Sequence, residues 1–398
     1  MDQVKTIQSY PLVLENFGLA AMSDLFEDWV VYRSLEPINK RLKGLKSARY
    51  ELGLTTEGIP RKLDTTYAQV ALWMFEKAQG MRRATVNEIL FIGDTLSGDG
   101  KAYQNMRALS HLPGSCFIGG EKANQAPVYA MDESTGIFSA NRWSSLVDWL
   151  ALEKRQGLKL DQNTVVVVDM DKTTIGARGR NDRVIDSARL KGLYRTVGNV
   201  LGDSFDAPLF ESHYDTLNRS QYHHVTEDNQ DYLAYMCLVL NSGVIDCVDL
   251  LASIDNGDIE TFSQFVRYVE TCIVGGGRVS EAMRQAHTAV HTSVQAGDPT
   301  PFKSFRRQEF LATLEHMNNL PDDAPVGDRL NQEITITQEV REVALWLRER
   351  GCLVICLSDK PDEASAPNHP TLRDQSPIHR AQTHAIGVSI VDGLAALK

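Results

Sequence analysis

The chain has 398 residues, 42% of them hydrophobic and 23% charged, with a net charge of −11, enough for a sizeable core and, at roughly 100–200 residues per domain, for two or three domains. No long basic block accompanies this acidic balance, which argues against a nucleic-acid partner, and nowhere do the roughly 18 consecutive apolar residues of a membrane span occur. Asp, Glu, Lys and Pro interrupt the N-terminal stretch MDQVKTIQSYPLVLENFGLAAMSDLFEDWVVYRSL, so no targeting segment is read there and the chain is expected in the cytoplasm. Its six cysteines form no CxxC pair and are expected as buried, reduced thiols.

In chain order, the apolar spacing of LDTTYAQVALWMFEK, Leu63 to Lys77, is helical. EILFIGD then reads as a short buried strand ending in polar residues, and KAYQNMRAL as a helix. SCFIGG and APVYAM are further short strands, and NRWSSLVDWLALEKRQ is a helix. Thr164 to Val168 is the most strand-like run, because four consecutive valines need cover on both faces, as in a central parallel strand. From about Asp186 to Asn331 strand signals almost vanish, and segments such as DYLAYMCLVLNSGVIDCVDLLASI carry helical spacing, punctuated by GGGRVS and AGDPTP. TITQEVREVALWLRERG is an amphipathic helix with Gly351 as its stop, CLVICLSDKPDEAS is a strand leading into a polar turn, and HAIGVSIV is read as a last strand.

Three strand ends carry polar residues: Asp169 and Asp171, Asp94 through Asp99, and Ser358 through Lys360. In a parallel sheet the carboxyl ends of the strands share one edge, where ligands bind. Clustered carboxylates repel one another unless a cation lies among them, and an oxygen donor set without Cys or His suits Mg²⁺.

These residues carry a resemblance. DMDKTT resembles the first motif of the haloacid dehalogenase superfamily of phosphatases, LVICLSDKP its second, and FIGDTLSGD its fourth. The resemblance implies Asp169 as the nucleophile, Asp171 as the general acid and base, and Ser358 as a phosphate binder. It further implies Mg²⁺ held by Asp94, the Asp169 carboxylate and the Asp171 carbonyl, with Asp99 as a further or outer ligand. The third-motif lysine is best matched by Lys62 in GIPRKLDTTY, with Lys360 and Arg61 as rivals. The motifs run third, fourth, first, second, so the chain resembles a circularly permuted member. The implied fold is α/β: a Rossmann-like parallel-sheet core of residues 1–176 and 332–398, with the join near 151–163, and a helical cap of residues 177–331 inserted after the first motif. Nothing in residues 1–55 matches the family.

The implied activity is Mg²⁺-dependent hydrolysis of a small phosphorylated metabolite. The alternatives are a phosphotransferase using the same residues and a non-catalytic binding protein on a degenerate core. Arg178, Arg180, Lys303, Arg306 and Arg307 are candidate readers of a second anionic group, or ordinary surface charge. His287 and His291 lie four residues apart, but no Glu follows His287, so HTAVH is not the zinc-protease pattern and both are read as structural. His223–His224 reads as a solvated turn.

Overall fold

The valine run of Thr164–Val168 is an interior strand, third in a seven-stranded sheet, and every residue of it is buried. The structure is a computed structural model that describes residues 12–56, 58–276 and 279–397. The start of the N-terminal stretch and Gly277 and Arg278 of the GGGRVS break lie outside the described residues. The first part of the chain forms β1 (Glu15–Ala21), α1 (Met22–Phe26), β2 (Val30–Val31), α2 (Leu45–Leu52), α3 (Thr65–Met81), β3 (Glu88–Gly93), α4 (Lys101–Ser110), β4 (Cys116–Gly119), β5 (Tyr129–Asp132), β6 (Ile137–Ala140), α5 (Leu146–Arg155) and β7 (Thr164–Val168). Among the described residues nine helices follow: α6 (Asp182–Leu201), α7 (Ala207–Leu217), α8 (His223–Thr226), α9 (Gln230–Asn241), α10 (Cys247–Asp255), α11 (Phe262–Val274), α12 (Glu281–Gln295), α13 (Lys303–Glu315) and α14 (Val326–Gln332). The chain closes with β8 (Ile336–Thr337), α15 (Gln338–Glu349), β9 (Leu353–Leu357), β10 (Gln382–Gly387) and α16 (Val391–Ala396).

The main sheet has the order β2-β9-β7-β3-β4-β6-β5 and is parallel except for β5, which runs antiparallel at one edge. Val165 and Val167 point to the face packed by Trp73, Met74, Phe75 and Ala78 of α3. Val166 and Val168, on the opposite face by the two-residue period of a strand, are equally buried. That double burial is why the sequence can carry valine without alternation.

From β3 the chain steps to β4 on one side, and from β7 it steps to β9 on the other. The boundary between β3 and β7 is therefore the place where the strand order reverses. Loops leaving adjacent strands in opposite directions open a crevice there, at the carboxyl edge.

The strand read at HAIGVSIV is β10, but it does not extend the main sheet. It lies in a second, three-stranded sheet, antiparallel to β1 and parallel to β8. Its partner β1 comes from the N-terminal residues for which the sequence offered no place, while β2 takes the main-sheet edge beside β9. β6, unread in the sequence, provides the penultimate strand.

The chain divides into two compact units, one running to Ser187 and resuming at Thr313, the other spanning Ala188–Ala312. Residues 177–187 and 313–331 thus belong with the sheet rather than with the helical segment to which the sequence reading assigned them. The reason is a set of polar ties. Asn181 donates to the carbonyls of Leu330 and Glu333 and accepts from the Thr335 backbone, and buried Arg329 pairs with Glu333 at 2.8 Å.

The second unit is helical throughout its described residues. α9 is buried along almost its whole length, as expected of a central helix, and packs with Phe210, Phe262, Phe265, Phe302 and Phe305. Asp206, Asn229, Asp246, Thr261 and Ser280 start α7, α9, α10, α11 and α12 by accepting a first-turn backbone N–H. No described helix is long and apolar enough to cross a membrane. All six cysteines are free thiols; Cys116, Cys237, Cys352 and Cys356 are buried, whereas Cys247 and Cys272 are half-buried.

Candidate active site

Asp169 follows β7 directly, and its backbone N–H still donates to Ile92 of β3, which fixes the two strand ends side by side. The chain then coils tightly. Thr174 and Ile175 N–H groups return to the Met170 carbonyl, the Thr174 hydroxyl donates to the Asp169 carbonyl at 2.6 Å, and Lys172 takes a left-handed conformation with φ 64°. β8 supports this coil from outside, since Thr337 donates to the carbonyls of Thr173 and Thr174.

β3 ends at Gly93, and Asp94 and Asp99 follow. Asp99 lies in a short, wide helical turn, Leu96–Gly100, and folds back so that one carboxylate oxygen accepts the N–H groups of Asp94 and Thr95, each at 3.1 Å. A Cβ on Gly93 would stand 2.4 Å from the Asp99 side chain. Glycine is required at that point because the carboxylate occupies the space a side chain would take.

Lys62 enters from the loop before α3. Its ammonium lies 2.8 Å from Asp99 and 2.5 Å from Asp169 and is 4% exposed. Lys360, just past β9, lies 3.1 Å from Asp171, and Arg178 pairs with Asp94. Ser358 is buried at the end of β9, where its hydroxyl accepts the Lys360 N–H at 3.1 Å. The fold thus brings Lys62, Asp94, Asp99 and Asp169 together and sets Asp171 with Lys360. Of the three basic residues considered for the lysine position, Lys62 is the one that bridges Asp169 and Asp99; Arg61 contributes a backbone N–H to Asp64.

Carboxylate oxygens of Asp94, Asp99 and Asp169 lie within 4.8 Å of one another. Burial pushes Asp94 up to about 6, helped by the Asp99 charge and opposed by Arg178. Burial likewise raises Asp169 well above the usual carboxylate range, with Lys62 opposing it and Asp99 and Asp94 adding to it. Burial also works against the Asp99 charge, but the Lys62 ammonium and the two backbone donors outweigh it and leave Asp99 lowered. Lys62, penalised by burial, is nonetheless held protonated by Asp169 and Asp99. Four carboxylates, counting Asp171, face the cations Lys62, Arg178 and Lys360. These pairings do not offset the burial of Asp94 and Asp169, which are the two carboxylates left raised.

Two of the proposed anion readers are engaged elsewhere. Arg180 is buried between Glu121, at 2.6 Å, and Glu339, at 2.8 Å. Arg306 is buried against Asp231 at 2.5 Å and Glu309 at 2.7 Å. Both neutralise buried acids, so neither guanidinium is free to read a ligand. Lys303 pairs with Asp298, and Arg307 is half-buried. Arg178 does belong to the site, but on Asp94. Sequence reasoning passed over Tyr67, whose buried hydroxyl has no hydrogen-bond partner among the described residues and feels the charges of Lys62, Asp359, Asp169 and Asp99. Nothing in its helical context singles it out.

No family model matches the chain, and no curated protein or solved structure matches it.

Two predictions follow from this geometry. Gly93→Ala should destabilise the chain by about 1–3 kcal/mol through overpacking against Asp99. Gly80→Ala, within α3 and with nothing inside 4 Å of the added Cβ, should gain about 0.5–1 kcal/mol. Equal unfolding midpoints for the two variants would refute the close fit. The second concerns pH. Because folding raises the Asp94 pKa, the folded chain holds that proton more tightly than the unfolded one, so its stabilising contribution is present below about pH 4 and lost as pH rises through about 6. In chelator, the stability of the native chain relative to Asp94→Asn should fall by on the order of 3 kcal/mol between pH 4 and pH 7. A pH-independent difference in denaturant midpoints would contradict the assignment.

Proposed function

We propose that the chain is a Mg²⁺-dependent phosphohydrolase of the haloacid dehalogenase type, with a Rossmann-like core whose motif order is permuted, acting on a small phosphorylated metabolite. The observation that carries this reading is the position of Asp169. It follows an interior strand at the reversal of strand order, touches Lys62, and faces Asp94 and Asp99 from the adjacent strand.

The donor set fits the cation. Mg²⁺ takes hard oxygen ligands in an octahedron whose neighbouring oxygens lie roughly 3 Å apart, and the three carboxylates are gathered within 4.8 Å. Both oxygens of Asp99 already serve Lys62 and backbone donors, so Asp94 and Asp169, with the Asp171 carbonyl, are the residues that would hold the ion, and Asp99 would anchor them. Bound there, Mg²⁺ would offset the buried carboxylate charge and draw electron density from the phosphoryl oxygens.

The residues of the chain then divide the work. The Asp169 carboxylate attacks phosphorus, the bond from phosphorus to the leaving oxygen breaks, and Asp171 donates the proton that oxygen needs. Asp171, now a carboxylate, takes a proton from water as it attacks the aspartyl-phosphate, which restores Asp169 and releases phosphate. Lys62 stabilises the phosphoryl charge, and the Ser358 hydroxyl binds a phosphoryl oxygen. The Lys360 ammonium lies 3.1 Å from Asp171 and would stabilise the carboxylate it becomes after giving up its proton.

The test is turnover of a panel of phosphorylated metabolites with Mg²⁺, run with and without acceptor alcohols to separate hydrolysis from phosphotransfer. Asp169→Asn should cut kcat by roughly 10³-fold or more while leaving the circular dichroism spectrum unchanged. Retained turnover on a good substrate would remove Asp169 from the mechanism. Asp171→Asn should slow hydrolysis of an alkyl phosphate by about 10²–10⁴-fold, and much less for an activated aryl phosphate, whose leaving group needs little protonation. An unaffected alkyl-phosphate rate would show that Asp171 is not the acid.

A further inference from the structure

The helical unit Ala188–Ala312 contains a cluster that the proposed reaction does not use. α12 presents His287 and His291 on one face, four residues apart, and α11 places Glu270 against them. One carboxylate oxygen and one ring nitrogen from each histidine lie within 4.8 Å of one another. His287 is 1% exposed, with Nε2 at 2.6 Å from Glu270 Oε2 and Nδ1 at 2.5 Å from the Tyr235 hydroxyl of α9. His291 is half-buried, its ring stacked on His287 at 5.6 Å and 16°.

We propose that Glu270, His287 and His291 form a Zn²⁺ site that ties α11 to α12, with water completing the coordination. Two imidazoles and one carboxylate are a donor set suited to zinc and poorly suited to Mg²⁺. A tetrahedral ion at about 2.0–2.1 Å sets its ligand atoms about 3.3 Å apart. Reaching that spacing requires Glu270 to withdraw slightly from His287 and His291 to lean in. The Glu270 carboxylate can do so, since its side chain is 43% exposed.

Tyr235 supplies the partner a metal-bound histidine needs. With zinc on Nε2, Nδ1 must carry the proton and donate it, and a hydroxyl can accept there as readily as it donates in the metal-free state. A Glu–His–Tyr chain alone would account for His287 but does not include His291, whose Nε2 lies 3.1 Å from the Gln295 side-chain amide and would exchange that contact for the ion.

The test uses the full chain, stripped of metal and kept in millimolar Mg²⁺ so that the acidic site is occupied. Zn²⁺ is titrated by calorimetry and Co²⁺ by its visible absorption. One equivalent should bind, with Co²⁺ bands of a nitrogen- and oxygen-ligated low-coordinate ion, and Asp169→Asn should bind equally well. Tyr235→Phe should weaken Zn²⁺ binding about 10–100-fold, and His291→Ala or His291→Gln, at a half-buried position, should weaken it further. Unchanged stoichiometry and affinity in both His291 variants would overturn the site, as would loss of Zn²⁺ binding in Asp169→Asn.

Discussion

A buried carboxylate is costly unless a positive charge or a set of hydrogen-bond donors stands beside it. This chain buries Asp99 and Asp169 and nearly buries Asp94 at the carboxyl ends of two adjacent strands. Much of the local structure can be derived from that constraint. Gly93 lacks a Cβ because the Asp99 carboxylate fills its place. The turn Leu96–Gly100 is wound wide, and Asp99 thereby returns to the N–H groups of Asp94 and Thr95. The loop before α3 carries Lys62 into the interior, where a lone ammonium would be as costly as the acids it meets. These placements only make sense together: removing any one leaves an uncompensated charge.

The compensation is incomplete, and that is the chemically useful part. Asp94 and Asp169 are both raised, chiefly by burial, with the neighbouring carboxylates adding to it and Lys62 and Arg178 only partly opposing it. A site in this condition gains from binding a cation, because the ion relieves desolvated charge that the fold itself leaves unbalanced. It also links ionisation of Asp169 to cation binding, which under the proposed reading suits a carboxylate that must be unprotonated to attack phosphorus.

How much of this was legible in the sequence depended on how local the signal was. The valine run announced β7 because double burial removes the polar alternation of an ordinary strand, and Asp169, Asp171, Asp94 and Asp99 stand at strand ends that can be read within ten residues. Lys62 was reachable through motif order alone, as its partners lie 37 and 107 positions away. Where both the signal and the partner were distant, reading failed. Arg180 meets Glu339 across 159 positions, and nothing near Arg180 distinguishes a buried ion pair from an exposed anion reader. β2 and β8 are two residues long, too short for any periodicity, so the second sheet and the edge of the first went unseen. The helical segment was drawn too wide for a related reason, since helical spacing says nothing about which unit a helix packs with. Residues 177–187 are held to the sheet by side chains such as Asn181, whose partners lie about 150 positions on.

Under the proposed reading, the strand order explains why an unusual order of motifs would be physically acceptable. A parallel sheet is specified by which strands are neighbours and by the hand of each crossover, not by where the chain begins. β7 needs β3 on one side and β9 on the other, and each contact is made through main-chain hydrogen bonds that are the same whichever strand is synthesised first. What must be supplied is a connection long enough to return the chain from the far side of the sheet to its centre. α5 and the segment up to Thr164 provide it, leading from the β6 side back to β7. β2 takes one edge of the main sheet, and β1 and β10 pair in the second sheet. That antiparallel pairing closes N-terminal and C-terminal segments on each other, which removes two unpaired strand edges at once. Under the proposed reading, the permutation leaves the reacting groups at the carboxyl ends of the same three neighbouring strands. The sheet edge, rather than the order of the sequence, is then what the chemistry requires.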